Sequence, residues 1–124
     1  GKVKDMEKVQ MSMPGANGAF KQVAVGPAQG WEGWVMRVMT LEAGGNTPTH
    51  KHPWPHINYV LDGQGSVMID GQEFPAEVGT CAYIPKDAEH GFKNLGEQEL
   101  RFICIVPEEG DTPHSLILLR RPWG

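Results

Sequence analysis

Apolar residues along this chain come in short bursts separated by turn-forming residues. The bursts at 20–25, 34–41, 57–61, 66–70, 81–84, 90–94, 100–106 and 116–120 carry β-branched, aromatic and methionine side chains. That is the composition of strands. Gly26-Pro27, Gly44-Gly45, Asp62-Gly63, Asp70-Gly71, Gly79 and the prolines at 85 and 107 punctuate them. Short strands at such close, even spacing predict an all-β sandwich or small barrel. Asp62-Gly63 and Asp70-Gly71 suit turns with positive φ, so residues 57–74 read as a meander of antiparallel strands. One helix is expected, over 3–11, where Val3, Met6 and Val9 recur at a spacing of three. No repeat or linker interrupts the pattern, and residues 1–124 read as a single domain.

Composition narrows this picture. Sixteen glycines and ten prolines in 124 residues leave little room for long helices. A chain of this length buries roughly two-thirds of its unfolded surface without covalent staples. Eleven basic against fifteen acidic residues give a net charge of −4, and no basic stripe is present to track a phosphate backbone, so nucleic acid is not an expected partner. The longest aliphatic run, Leu116-Ile117-Leu118-Leu119, is far short of the roughly 20 residues of a membrane span. Cys81 and Cys104 are too few for a disulfide framework. With no signal-like apolar stretch in residues 1–10, they read as reduced thiols in a cytoplasmic protein, Cys81 as core. Trp31 and Trp34 are expected to pack in the core or in a dimer contact.

Three of the five histidines fall within seven residues, His50-Lys51-His52-Pro53-Trp54-Pro55-His56. On an extended segment, residues two apart share a face, so His50 and His52 can present two imidazoles together. Pro53 and Pro55 forbid regular ladder pairing and bend the chain, which returns His56 toward the same point. Three nitrogen ligands can then converge, fed by a loop at 44–48. Trp54 lies inside the ligand segment and is placed to shape a pocket. His114, next to Pro113, reads as a surface turn residue.

These residues resemble the cupin superfamily. Its first motif is matched by Gly45, His50, His52, His56, Gly63 and Gly65, with His56 where the family usually has Glu. Its second motif is matched by Gly79, Pro85, His90 and Asn94, with Asp87 in place of a turn glycine. The two motifs cover residues 40–106, and the fold implied is a cupin double-stranded β-helix, or jelly roll. His-x-His-Pro-Trp-x-His, with His90-Gly91-Phe92 and the strand 102–107, is similar to the small single-domain four-histidine cupins that bind manganese. The resemblance implies one divalent transition metal per chain, manganese first, held by His50, His52, His56 and His90. It places Phe102 and Cys104 beside the metal, Thr47 at the pocket mouth and Arg37 in a functional position.

Neutral imidazole also accepts iron, nickel, zinc and copper. Replacing the usual Glu by His56 removes a negative charge, which makes a bound ion more Lewis-acidic and raises its reduction potential. Four ligands on an octahedral ion leave two positions open to water, dioxygen or a chelating substrate. A manganese- or iron-dependent dioxygenase acting on a small organic substrate ranks first, given apolar side chains at Phe102, Cys104, Met36, Met39 and Ile84. A metal-dependent isomerase or lyase ranks second, with Arg37 as the visible anion-binding group and Tyr59, Tyr83 or His114 as proton carriers. A non-catalytic metal or small-molecule binder ranks third. A homodimer is expected, through strands 20–25 and 116–120 at the sheet edges.

Overall fold

The computed structural model describes residues 1–111. They form nine strands: β1 (Val9–Gln10), β2 (Asn17–Val25), β3 (Trp34–Asn46), β4 (His56–Asp62), β5 (Gln64–Ile69), β6 (Gln72–Glu77), β7 (Cys81–Ile84), β8 (His90–Asn94) and β9 (Leu100–Pro107). Short 3-10 turns occupy Val3–Asp5, Pro27–Gln29 and Glu108–Gly110. The helix expected over 3–11 is therefore one turn followed by a strand. Gln22 explains why: its side-chain amide donates to the carbonyls of Val3 (2.7 Å) and Met6 (3.1 Å) and ties that segment to the sheet. Among the described residues no helix is long and apolar enough to cross a membrane.

All pairings are antiparallel. β9 lies between β3 and β4, β7 continues beyond β4, and β2 with the short β1 flanks β3 on its other side. β5 sits between β6 and β8. The two groups meet where Asn46, the last residue of β3, pairs with Lys93 of β8. The sheet therefore curls on itself around a single core.

That junction differs from the loop expected at 44–48, because β3 continues through both glycines. Gly44 takes φ +76, and a Cβ on Gly45 would meet the carbonyl oxygens of Asn17, Glu42 and Gly18 within about 3 Å. The register between β2 and β3 shifts beside this contact, between Asn17 and Ala19.

The meander expected over 57–74 is half right. Asp70 (φ 48) and Gly71 (φ 81) form a two-residue turn with positive φ at both positions, and it closes the β5–β6 hairpin. Asp62-Gly63 closes no hairpin. β4 pairs with β7 and β9, β5 with β6 and β8, so the chain crosses there from one sheet group to the other.

Period-two alternation sets the core. Along β9, Leu100, Phe102, Cys104 and Val106 are buried while their neighbours are half-buried. With Val35, Met39, Leu41, Val60, Val67, Ile84 and Phe92 they fill the interior. Cys81, expected in the core, is exposed, because β7 alternates the other way and turns Ala82 and Ile84 inward. Trp31 and Trp34 are exposed at 38 % and 43 % and take no part in the core. Among the described residues β2 is bordered on its outer side by β1 alone, at Phe20 and Lys21. The expected strand at 116–120, and His114, lie outside the described residues.

Of the glycines described, Gly65 on β5 leaves the least room for a side chain. A Cβ there would be driven into the Lys93 carbonyl and would sit 2.8 Å from Leu100 Cδ2. Gly65→Ala is expected to cost about 2–3 kcal/mol through backbone displacement, read as a lower urea midpoint with an unchanged slope.

Candidate metal centre

Two of the five histidines sit on strands and two on the segment that crosses between them. His56 opens β4 and His90 opens β8, both pointing inward and both buried. His50 is fixed by the backbone of the opposite sheet group. Its N–H donates to the His90 carbonyl (3.0 Å), and the His90 N–H donates back to the His50 carbonyl (2.9 Å). His52 is held through its own carbonyl, which accepts from Asp87 N–H at 2.7 Å. Asp87 stands at φ +66, the left-handed conformation expected of the residue replacing the turn glycine. Trp54 stacks on His52 with centroids 4.8 Å apart and an interplanar angle of 9°.

The imidazoles converge. Ring centroids are 4.5 Å apart for His50 and His52, 4.8 Å for His50 and His90, and 5.0 Å for His52 and His90. One ligand atom from each of these three lies within 4.8 Å of the others, a group that could hold a metal ion. His56 lies outside that group of three but borders it, with Nε2 3.0 Å from His90 Nε2 and its ring centroid 5.7 Å from that of His52. The 3.0 Å spacing is a hydrogen bond between the two rings, one nitrogen donating and the other accepting.

Electrostatics prepare these rings as ligands. Burial, then the proximity of His90 and Arg37, pushes His50 down from 6.5 to about 4. His56 is pushed down to about 2 by burial, His90, His52 and Arg37, against a smaller upward pull from Asn58. Burial also lowers His90, partly opposed by its hydrogen bond to Ala88 and by Asp70. Neutral imidazole is the form that binds metal.

Behind His56 lies a polar row that crosses three strands. Arg37 of β3 is opposite Cys104 of β9, and Cys104 is opposite Asn58 of β4. Arg37 Nη2 donates to Cys104 Sγ (3.0 Å), and Sγ lies 3.5 Å from His56 Nδ1. Burial alone would lower the Arg37 pKa, but Cys104 and Asp111 raise it above its ordinary value. Asp111 also holds Lys21 at 3.1 Å. Neither Asn58 nor Asp111 was singled out from the sequence. Asn58 was legible, since it lies two residues from His56 on one strand and so shares its face. Asp111 follows the last strand and carries no signal.

The remaining expected pocket residues divide. Cys104, Arg37 and Trp54 adjoin the histidines. Phe102 is core, its ring stacked on Phe92 at 4.1 Å. Thr47 is pinned to β8, its Oγ1 accepting from Phe92 N–H and its N–H donating to the Phe92 carbonyl, both at 2.9 Å. It lines a cavity of about 260 Å³ with Thr49, Ser66 and Lys93, which none of the four histidines lines. Met36 lies one residue from Arg37 on β3 and faces outward. Tyr59 and Tyr83 are also on the outer face, at 43 % and 62 % exposure, so neither can carry a proton to the histidines.

Fold and site together define a curled β-barrel that gathers imidazoles at the junction of its two strand groups. The chain belongs to the cupin family: the family model described as Cupin domain matches residues 37–106. Among curated proteins it is 32 % identical over 82 residues to the polyketide synthase CurC of Streptomyces cyaneus, covering 65 % of this chain and 51 % of that protein. It is 37 % identical over 68 residues to the dimethylsulfoniopropionate lyase DddW of Ruegeria pomeroyi, covering 55 % and 44 %. The chain spans about half the length of the curated relatives it matches. Among solved structures it resembles the polyketide cyclase RemF from Streptomyces resistomycificus, with a TM-score of 0.79, 26 % identity and coverage of 86 % and 76 %.

The lowered histidine pKa values have a direct consequence for stability. The unfolded chain takes up protons below about pH 6.5, while folded His50 resists them until about pH 4. Stability is therefore full above pH 6.5 and lost as pH falls from there. The urea midpoint of the metal-free protein should fall steadily between pH 6.5 and 4, and His50→Gln should flatten that fall.

Proposed function

We propose that His50, His52, His56 and His90 bind one divalent transition ion, and that the protein is a metal-dependent lyase or cyclase for a small substrate bearing a carbonyl and an anionic oxygen. One observation carries this reading: the converging donors are all imidazoles, and the Arg37 guanidinium reaches His56 through Cys104 Sγ. The side chains that contact His56 are Asn58 and Cys104, and His90 bonds the Ala88 carbonyl. With no anionic ligand, a bound ion would keep its full charge and act as a Lewis acid on a carbonyl oxygen, acidifying the adjacent C–H bond. The same lack of anionic donors disfavours the higher oxidation states that oxygen activation requires.

Arg37 supplies the second element. Its Nη1 reaches Asp111 only at 3.4 Å and its buried Nε has no hydrogen-bond partner among the described residues. It can pair with a carboxylate or enolate oxygen while Cys104 holds Nη2 in place. The apolar lining that favoured a dioxygenase is largely elsewhere, since Phe102, Met39 and Ile84 are core and Met36 faces outward. The names of the similar proteins, a lyase and a polyketide cyclase, support carbonyl and elimination chemistry. An all-imidazole donor set accepts manganese, iron, nickel, zinc or copper, with manganese first by family resemblance. A homodimer is part of the proposal, through the sheet edge at β2.

Two measurements test this. Metal analysis should give one ion per wild-type chain and a loss of most of it in His52→Ala and His90→Ala; full occupancy in both variants would sink the site. Manganese-loaded protein, assayed by NMR under nitrogen on β-keto and β-hydroxy acids, should show elimination, cyclisation or α-proton exchange, reduced at least tenfold by Arg37→Met. Turnover that requires and consumes dioxygen would establish the oxygenase instead.

A further inference from the structure

Asn58 is 1 % exposed, and its Oδ1 has no hydrogen-bond partner among the described residues. Its position beside His56 gives that orphaned acceptor a use. The proton positions follow from the contacts. A carbonyl can only accept, so His90 Nδ1, 2.9 Å from the Ala88 oxygen, carries a hydrogen, and its Nε2 carries a lone pair. His56 Nε2 lies 3.0 Å from that lone pair and must therefore donate to it. His56 Nδ1 is then an acceptor, and Asn58 Nδ2, 3.0 Å away, donates to it. The metal-free site is a closed chain of donors from Asn58 through His56 and His90 to Ala88.

Metal binding cannot keep that chain. Both Nε2 atoms must offer lone pairs to an ion, so the His56 proton has to leave Nε2 and one has to arrive at Nδ1, with the ring neutral before and after. Nδ1–H would then face the Asn58 amide NH₂, two donors opposed in a buried place, with only the weak acceptor Cys104 Sγ nearby at 3.5 Å. A half-turn of the amide replaces Nδ2 with Oδ1, the acceptor that otherwise has no partner. His90 needs no such change, because its Nδ1–H is already bonded to a backbone carbonyl.

We propose that Asn58 is a positioning residue that sets the tautomer of His56, its amide turning over when the metal enters. This rests on reading the four histidines as a metal site. Loss of such a partner typically weakens metal binding 10- to 100-fold. Asn58→Leu, which is apolar, should therefore bind Mn²⁺ and Zn²⁺ 10- to 100-fold more weakly in equilibrium titrations. Asn58→Asp, which only accepts, should bind at least as tightly as wild type.

A second readout is independent of affinity. In protein labelled with ¹⁵N-histidine, His56 Nδ1 should be unprotonated in the metal-free wild type and protonated in the zinc-loaded form. In Asn58→Asp it should be protonated in both. Stoichiometric binding by wild type with an unchanged His56 tautomer, or equal weakening in the Leu and Asp variants, would overturn the role of Asn58 alone. Failure of wild type to bind either ion would overturn the metal reading and this one with it.

Discussion

The position of β9 between β3 and β4 is the constraint on which the rest of the molecule depends. Its register sets Arg37, Cys104, Asn58 and Ala82 in one inward row across four strands, and Met39, Phe102 and Val60 in another. A slip of one residue in β9 would turn Cys104 and Phe102 outward and bring Ile103 and Ile105 in. The polar row behind His56 would then be broken at its centre. Large apolar side chains such as Phe102 and Leu100 resist that slip, since each is almost wholly buried and would lose its burial energy of about 2 kcal/mol. The core thus holds the chemistry in place without taking part in it.

That row carries an electrostatic burden. Arg37 is a cation in the barrel interior, and buried charges are costly unless paired. Asp111 and Cys104 provide the pairing, but Asp111 is shared with Lys21. The interior therefore keeps a positive bias beside rings that burial already holds neutral. Each imidazole that stays neutral is a better ligand, so the same desolvation that weakens the fold at low pH readies the site at neutral pH.

Much of this was legible in the sequence. The eight bursts of strand-forming residues include seven within the described residues, each of which lies in or overlaps a strand. The clustering of His50, His52 and His56 in seven residues, with two prolines among them, pointed to convergence because that pattern has few other physical uses. What failed were features decided by distant partners. Asp62-Gly63 has the composition of a hairpin turn, but whether the strands it joins pair with each other depends on β7, β8 and β9. Residues 3–11 carry helical spacing, but the amide of Gln22 captures their carbonyls. Thr47 and Phe102, given pocket positions by family pattern, are held by other contacts as well, one to β8 and one to Phe92.

The site also divides into two halves with different support. His56 and His90 are rooted in strands, and each Nδ1 lies within hydrogen-bond distance of a protein atom. His50 and His52 belong to the crossing segment, and the backbone bonds described for them run to His90 and Asp87, on and just before β8. The distance from His56, on β4, to the other three, which are on or bonded to the β8 group, therefore follows the approach of the β8 group to the β9 group, set where Asn46 meets Lys93 and where Gly45 packs against Asn17. Glycine at 45 serves the site in this way from outside it: a side chain there would push β2 from the end of β3 and loosen the junction on which all four imidazoles depend.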